Sequence, residues 1–199
     1  MSAGQRQRYG RIAALYDLLD WPFESLYRPG RALIGATAAG VTLELGAGTG
    51  KNFAYYSAAR VIASDLSWPM LIRARRRLRP RVRGLVVADA ARLPLHAASV
   101  DTVVATFVCC VLTDPNPALG EIARVLRPGG QALFLECVLP PDGWQRTLMQ
   151  ALEPAMRALY GVRWQRDIRP LVEAARLGVV KTYVWHAAIR CVVSRKPAH

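Results

Sequence analysis

The stretch Leu43-Glu44-Leu45-Gly46-Ala47-Gly48-Thr49-Gly50 sets three glycines at alternate positions directly after a short apolar run, with a carboxylate two residues before the first. Residues without side chains let a backbone turn sharply and approach a nucleotide closely. The spacing departs from the Gly-x-Gly-x-x-Gly of dinucleotide sites, and the loop lacks a phosphate-gripping Lys or Ser/Thr pair. The carboxylate of Glu44 suits an amino-acid moiety. Together these features favour a phosphate-free nucleoside joined to an amino acid, S-adenosylmethionine, over NAD. Asp65, at the end of the next apolar run, stands where a carboxylate can accept both ribose hydroxyls. A third run ends at Asp89-Ala90, where an adenine edge would be met. A fourth ends at Thr106-Phe107, beneath the point where the order of a doubly wound sheet reverses.

The elements that must position these residues can be read from the periodicity. Val41 to Leu45, Arg60 to Ser64, Gly84 to Ala88, Asp101 to Thr106 and Gln131 to Glu136 are short apolar runs bounded by turn residues and read as buried strands. Helical stretches separate them: Ser67 caps one that runs to Leu78, and Asn116-Pro117 opens one that runs to Leu126, stopped by Arg127-Pro128-Gly129-Gly130. Strand and helix in alternation predict a parallel sheet covered on both faces. Before the first strand, Tyr9, Ile12, Ala13, Tyr16 and Leu19 form the apolar stripe of a helix over Gln5 to Leu19, and a second helix is predicted from about Glu24 to Ala38. After Glu136, Trp144, Leu148, Leu152, Met156 and Leu159 predict an amphipathic helix over Gly143 to Tyr160. Another helix is predicted over Asp167 to Arg176, and then an antiparallel hairpin of Val179 to Trp185 and Ala188 to Ser194.

Taken in order, Glu44 to Gly50, Asp65-Leu66-Ser67, Asp89-Ala90 and Leu126-Arg127-Pro128-Gly129-Gly130 resemble the motifs of the class I S-adenosylmethionine-dependent methyltransferases, over roughly residues 9 to 138. Tyr16-Asp17 and Val104 to Cys109 resemble a narrower group: bacterial phospholipid N-methyltransferases, ubiquinone/menaquinone methyltransferases and alkyl thiol methyltransferases. The stretch Trp144 to Asp167 looks closest to the thiol and phospholipid branches. The resemblance implies a Rossmann-like, doubly wound seven-stranded sheet with its last strand antiparallel. It also implies that Glu44, Gly46, Ala47, Gly48 and Gly50 shape the pocket for the methionine part and that Asp65 binds the ribose. Leu66 and Met70 would line the adenine, with Asp89 and Ala90 at its amino edge, while Thr106 and Phe107 would floor the crevice. Tyr16 would close the pocket near the sulfonium and is the candidate catalytic residue, with Asp17 and Glu136 as further polar candidates. The absence of Asn/Asp-Pro-Pro-Tyr/Phe after the fourth strand counts against methylation of nucleic-acid bases or glutamine.

A length of 199 residues with 52% hydrophobic content predicts one domain able to bury a real core. It divides into a helical cap (1–40), a cofactor-binding core (41–138), a helical substrate-side segment (140–176) and a closing hairpin (177–199). No apolar run suits a membrane span or the core of a signal peptide, so a cytoplasmic protein is expected. Cys109, Cys110, Cys137 and Cys191 lie in apolar runs without metal-ligand spacing, which predicts buried thiols and no metal. His186 reads as a structural or partly exposed hairpin residue. The net charge of +13 is carried almost wholly by arginine, because only Lys51, Lys181 and Lys196 are lysines. Such a field attracts anionic surfaces. The acid-free run Arg73 to Arg83 reads as a solvated face. Alternatively, with Arg6, Arg8 and Arg11, it reads as a contact with anionic lipid at the inner face of a membrane. Nucleic acid is disfavoured, since no basic stretch is interleaved with aromatics. The reaction expected is methyl transfer to a lipid-like or hydrophobic small acceptor, first the amine head group of phosphatidylethanolamine. A thiol or a quinol ring carbon stand as alternatives, and a non-catalytic membrane-surface binding protein is the rival of another class.

Overall fold

The computed structural model describes residues 3–198. Seven strands form one sheet: β1 (Val41–Leu45), β2 (Arg60–Asp65), β3 (Val82–Val87), β4 (Val100–Thr106), β5 (Leu126–Cys137), β6 (Gly178–Trp185) and β7 (Ile189–Arg195). Their order is β3-β2-β1-β4-β5-β7-β6, with β7 antiparallel to both β5 and β6 and all other pairs parallel. The reversal of order falls between β1 and β4, as the doubly wound class requires.

Strand periodicity divides the core in two. Leu43, Leu45, Val103, Ala105, Ala132 and Phe134 pack on one face under helix α5 (Asn116–Val125) and α7 (Arg169–Ala174). The alternate residues Val104, Leu133 and Leu135 pack on the other, with Ile34 and Ala38 from α3 (Glu24–Thr37) and its end, Phe53, and Ala74 of α4 (Trp68–Arg75). Helix α3 lies close to the sheet and to the segment between β1 and β2 because it presents glycines to both. A Cβ at Gly30 would sit 2.5 Å from Leu135 Cδ1 of β5, and one at Gly35 would sit 2.3 Å from the Tyr55 carbonyl oxygen.

Several boundaries differ from those the sequence predicts. The helix expected over Gln5 to Leu19 is two pieces, α1 (Ala3–Ile12) and α2 (Tyr16–Asp20), separated by a turn. The break brings the rings of Tyr9 and Tyr16 to 6.3 Å, whereas seven residues of continuous helix would advance about 10.5 Å. The helix after Ser67 ends at Arg75 and runs out through i to i−3 bonds at Arg76, Arg77 and Leu78, ahead of Pro80, which disfavours helix at the residue before it. Ser67 occupies the cap position, yet its buried hydroxyl has no partner among the described residues. Pro69 has removed one of the amides it could have capped. Arg127-Pro128-Gly129-Gly130 ends a helix as expected but lies within β5, looped out between Leu126, paired with Val100, and Gln131, paired with Thr102. Helix α6 (Gly143–Tyr160) matches the predicted span and closes on Gly161, whose φ is +76°. His186 and Ala187, both with positive φ, make the β6–β7 turn, and His186 is exposed.

Candidate active site

Two cavities open at the carboxyl ends of the strands. The first is walled by Leu45, Gly46 and Gly48 after β1, Ser64, Asp65 and Leu66 at the tip of β2, and Met70 of α4. Ala88 and Ala90 beyond β3, and Thr106, Phe107 and Val108 at the end of β4, complete it. The backbone turns at Gly46 (φ +61°) and Gly48 (φ +55°) in a region side chains disfavour. A Cβ at Gly46 would strike Val108 Cγ2 at 2.6 Å, whereas one at Gly48 would meet nothing closer than 4.0 Å and would stand in the cavity. Asp65 Oδ2 accepts the Gly48 N–H at 2.9 Å and Oδ1 accepts the Ser67 N–H at 2.8 Å, so one carboxylate fixes the glycine loop against the start of α4. Burial raises its pKa despite these amides.

The second cavity lies beside the first and is lined by Asp20, Phe23, Tyr27, Cys110, Cys137, Met156, Tyr160, Val162 and Trp164. Tyr9, Tyr16, Phe107 and Val111 line both cavities. Phe107 holds a positive φ of +57°, its N–H donates to the Leu135 carbonyl at 2.7 Å, and its ring lies 4.5 Å from that of Tyr27. Tyr9 donates its hydroxyl to the Tyr160 carbonyl at 3.0 Å, which ties α1 to the end of α6 over the cavities.

A buried polar network supports the floor. Asn52 donates to Glu44 Oε1 and to Thr106 Oγ1, both at 2.9 Å, and accepts from Arg31 at 2.6 Å, while Tyr56 donates to Glu44 Oε2 at 2.9 Å. Burial pushes the Glu44 carboxyl up to about 7, with Tyr56, Asn52 and Arg31 opposing. Glu136 is fully enclosed, accepts the N–H groups of Cys109 (2.8 Å) and Cys110 (3.0 Å), and is likewise pushed to about 7 by burial. Asp17 takes the Thr49 hydroxyl at 2.7 Å and pairs with Arg77 at 2.9 Å, latching α2 onto the glycine loop.

A family model described as a methyltransferase domain matches residues 43–134. The chain is similar to a demethylmenaquinone methyltransferase of Clavibacter sepedonicus, 35% identical over 71% of this chain and 64% of that protein, so it spans less than two thirds of that relative's length. It is also similar to the thiol S-methyltransferase TMT1B of Rattus norvegicus, 32% identical over 180 residues, covering 85% of this chain and 72% of that protein. The chain belongs to the class I S-adenosylmethionine-dependent methyltransferases. The fold agrees: a methyltransferase of this kind from Thermotoga maritima superposes with a TM-score of 0.75 at 18% identity, covering 96% of this chain and 99% of that one.

The cofactor of this methyltransferase family fits the first cavity on three observations. Gly48 leaves open the space a Cβ would fill. Asp65 keeps acceptor capacity for a hydroxyl donor beyond the amides of Gly48, Ser67 and Leu66, since a carboxylate can accept about four hydrogen bonds. Asp65 is also the one charged side chain in that lining among the described residues, which suits a cationic sulfonium and not a phosphate. Of the residues expected to hold the cofactor, the structure gathers Tyr16, Gly46, Gly48, Asp65, Leu66, Met70, Ala90, Thr106 and Phe107 in the lining. Glu44, Ala47, Gly50 and Asp89 stand outside it. Glu44 faces Asn52 and Tyr56 beneath the floor, Ala47 is buried in the core, and Gly50 (φ +81°) packs against Phe53. Asp89 folds back to accept the Ala91 N–H at 2.9 Å. Asp17 and Glu136, the other polar candidates, line neither cavity. Sequence reasoning missed Asn52, whose only signal is its place just after the glycine loop, and Asp20, one helical turn from Tyr16. All four cysteines are free thiols, and burial raises the pKa of each.

Proposed function

We propose that this protein transfers the methyl group of S-adenosylmethionine to a hydrophobic, lipid-like small acceptor held in the second cavity. The observation that carries this reading is the common wall: Tyr9, Tyr16, Phe107 and Val111 border both cavities, so a donor in one and an acceptor in the other would meet there. When bound, the sulfonium supplies a methyl carbon that is already activated. The chain's own work is then to align the two partners and exclude water, and an amine acceptor attacks as its free base, having given its proton to solvent before transfer. Asp65 binds the ribose, Leu66 and Met70 give the adenine its apolar walls, and the Gly46–Gly48 turn admits the methionine part. Tyr16 closes the junction. Its buried phenol stays protonated, because burial first and the Asp20 charge second raise its pKa, so it orients groups by hydrogen bonding and packing instead of removing a proton.

The acceptor we favour is the amine head group of phosphatidylethanolamine, at a membrane surface. Apolar side chains stay exposed on both helices that flank the second cavity: Leu15, Leu18 and Trp21 on and beside α2, and Trp144, Leu148 and Leu152 on α6. These would dip into a bilayer, with the arginine excess facing anionic lipid. A thiol and a quinol ring are the alternatives, in line with the names of the two relatives. Labelled S-adenosylmethionine should be incubated with phosphatidylethanolamine vesicles, dodecanethiol and a demethylmenaquinol in parallel. Label in the lipid is expected, and label in the thiol or quinol alone would move the acceptor to that class. No transfer, together with no saturable binding of S-adenosylhomocysteine by calorimetry, would return the protein to a non-catalytic binding role.

A further inference from the structure

The wall of the second cavity is chemically one-sided. Rings of Tyr16, Phe23, Tyr27, Phe107, Tyr160 and Trp164 border it, and Asp20 is the one charged side chain in its lining among the described residues. Asp20 is 9% exposed. Its Oδ2 accepts from the Lys51 ammonium, while its Oδ1 has no hydrogen-bond partner among the described residues. Lys51 also binds Glu24 at 3.1 Å, and Glu24 pairs with Arg31 at 3.2 Å, so the two cations of this cluster are each engaged by carboxylate and neither lines the cavity. The Asp20 charge is felt across the space: after burial, it adds to the elevation of the Tyr16, Tyr27 and Tyr160 phenol pKa values.

We propose that Asp20 and the surrounding rings form an ammonium-binding site, so that the second cavity takes up an amine or alkylated ammonium by its nitrogen end and leaves any attached anion, such as a lipid phosphate, at its mouth. Aromatic faces attract a cation, most where water is excluded, and a half-satisfied carboxylate gives such a group its counter-ion. Lys51 stands behind the wall, 5.9 Å from the Tyr16 ring, and Arg31 stands 5.9 and 5.7 Å from the Tyr27 and Phe107 rings, each engaged by carboxylate. Asp20 is therefore the one charge that borders the cavity, and a thiolate or phenolate there would meet it with no cation in the lining among the described residues. This inference rests on the second cavity being the acceptor pocket, and it specifies nitrogen over sulfur or ring carbon. It does not need the cofactor to be bound, so it can be tested apart from methyl transfer.

The test is calorimetry on the full chain with hexyltrimethylammonium, hexane-1-sulfonate and 1-hexanol, with S-adenosylhomocysteine titrated separately into the unmodified protein. A chain of net charge +13 repels cations from its surface, so saturable binding of the ammonium reports a specific site. We expect the ammonium to bind at least tenfold more tightly than hexanol, the sulfonate not to saturate, and Asp20→Asn to lower ammonium affinity about tenfold without changing that for hexanol. Equal affinity of wild type and Asp20→Asn for the ammonium, or binding of the sulfonate as tight as that of the ammonium, overturns the site. Should Asp20→Asn fail to fold because Lys51 loses its partner, Tyr27→Leu decides: selective weakening of the ammonium supports the site, and equal weakening of ammonium and hexanol rejects it. Failure of S-adenosylhomocysteine to bind would sink the cofactor reading alone. Ammonium failure beside normal S-adenosylhomocysteine binding would sink this inference alone.

Discussion

Asp65 holds the glycine loop and offers its remaining lone pairs to the first cavity, so its removal acts on affinity through both routes. Charge-assisted hydrogen bonds are worth about 1.5–3 kcal/mol each. Asp65→Ala is therefore expected to weaken S-adenosylhomocysteine binding on the order of 10–100-fold by calorimetry, and unchanged affinity would mean that the ribose is held elsewhere. Glu136 permits a second prediction at this scale. Its carboxyl, and that of Glu44, is raised by burial from 4.5 to about 7 in the folded chain. A group raised on folding binds more protons in the native state, so its contribution is fully present below about 4.5 and is lost as pH climbs towards 7, by up to about 1.4 kcal/mol per pH unit for each group. Denaturant melts at pH 5, 6 and 7 should show the loss, and Glu136→Gln should shallow the slope; an unchanged slope would place the titration on other groups, Glu44 and Asp65 among them. The residues legible in the sequence were those whose type is forced by local backbone or strand-end position, Gly46, Gly48 and Asp65 among them. Asn52 and Asp20 were not, because polar residues on helical turns show nothing of the distant groups they meet, here Glu44 and Lys51.

At the scale of elements, strands are legible because burial on both faces leaves compact apolar runs, and the predicted bounds of β1 match to the residue. Helix α6 is equally plain in its span, but its stripe, which reads first as a packed face, stays exposed at Trp144, Leu148, Leu152 and Leu159. What the pattern hid were interruptions imposed from outside the segment. The α1–α2 break keeps the apolar spacing on both sides, and tertiary bonds of Asp17 to Thr49 and Arg77 set the new direction. The β5 loop-out at Arg127 to Gly130 reads as a simple turn until its neighbour β4 is in place. The close approach of α3 also depends on partners remote in sequence. A Cβ at Gly35 meets the Tyr55 backbone, which cannot rotate away, whereas one at Gly30 meets the end of the Leu135 side chain. Gly35→Ala should therefore cost about 1–3 kcal/mol in denaturant melts, the usual range for overpacking, and more than Gly30→Ala. The reverse ranking would show that the helix can shift as a body.

For the whole molecule, the question is where the charge and the apolar surface lie relative to the cavities. Composition announces the +13 but cannot place it. Within the run on and after α4, Arg75, Arg76, Arg79, Arg81 and Arg83 are exposed, but half-buried Arg77 binds Asp17 and the Thr49 carbonyl and so belongs to the latch instead of a free surface. The side chain of Arg6 lies outside the described residues, and Arg8 packs against Gly161 at the end of α6, where a cation complements the helix dipole. Fewer arginines are therefore free for lipid than the sequence count suggests, and in the proposed membrane contact the exposed Trp21 and Trp144 (74% and 72%) would be the stronger anchors. Among the described residues no helix is long and apolar enough to cross a membrane, so any attachment through them must be at the interface. The proposed attachment then has two separable parts. Electrostatic attraction is screened over about 10 Å at 0.1 M salt, whereas apolar insertion is nearly indifferent to it. In sedimentation with vesicles, binding to phosphatidylglycerol-containing membranes should exceed binding to neutral ones at low salt and fall severalfold at 0.5 M. Replacing Trp21 and Trp144 by Ser should lower binding at both salt concentrations by a similar factor. If the tryptophan variant binds like wild type while salt abolishes binding, the contact is a charged surface alone, and the acceptor must reach the second cavity from solution.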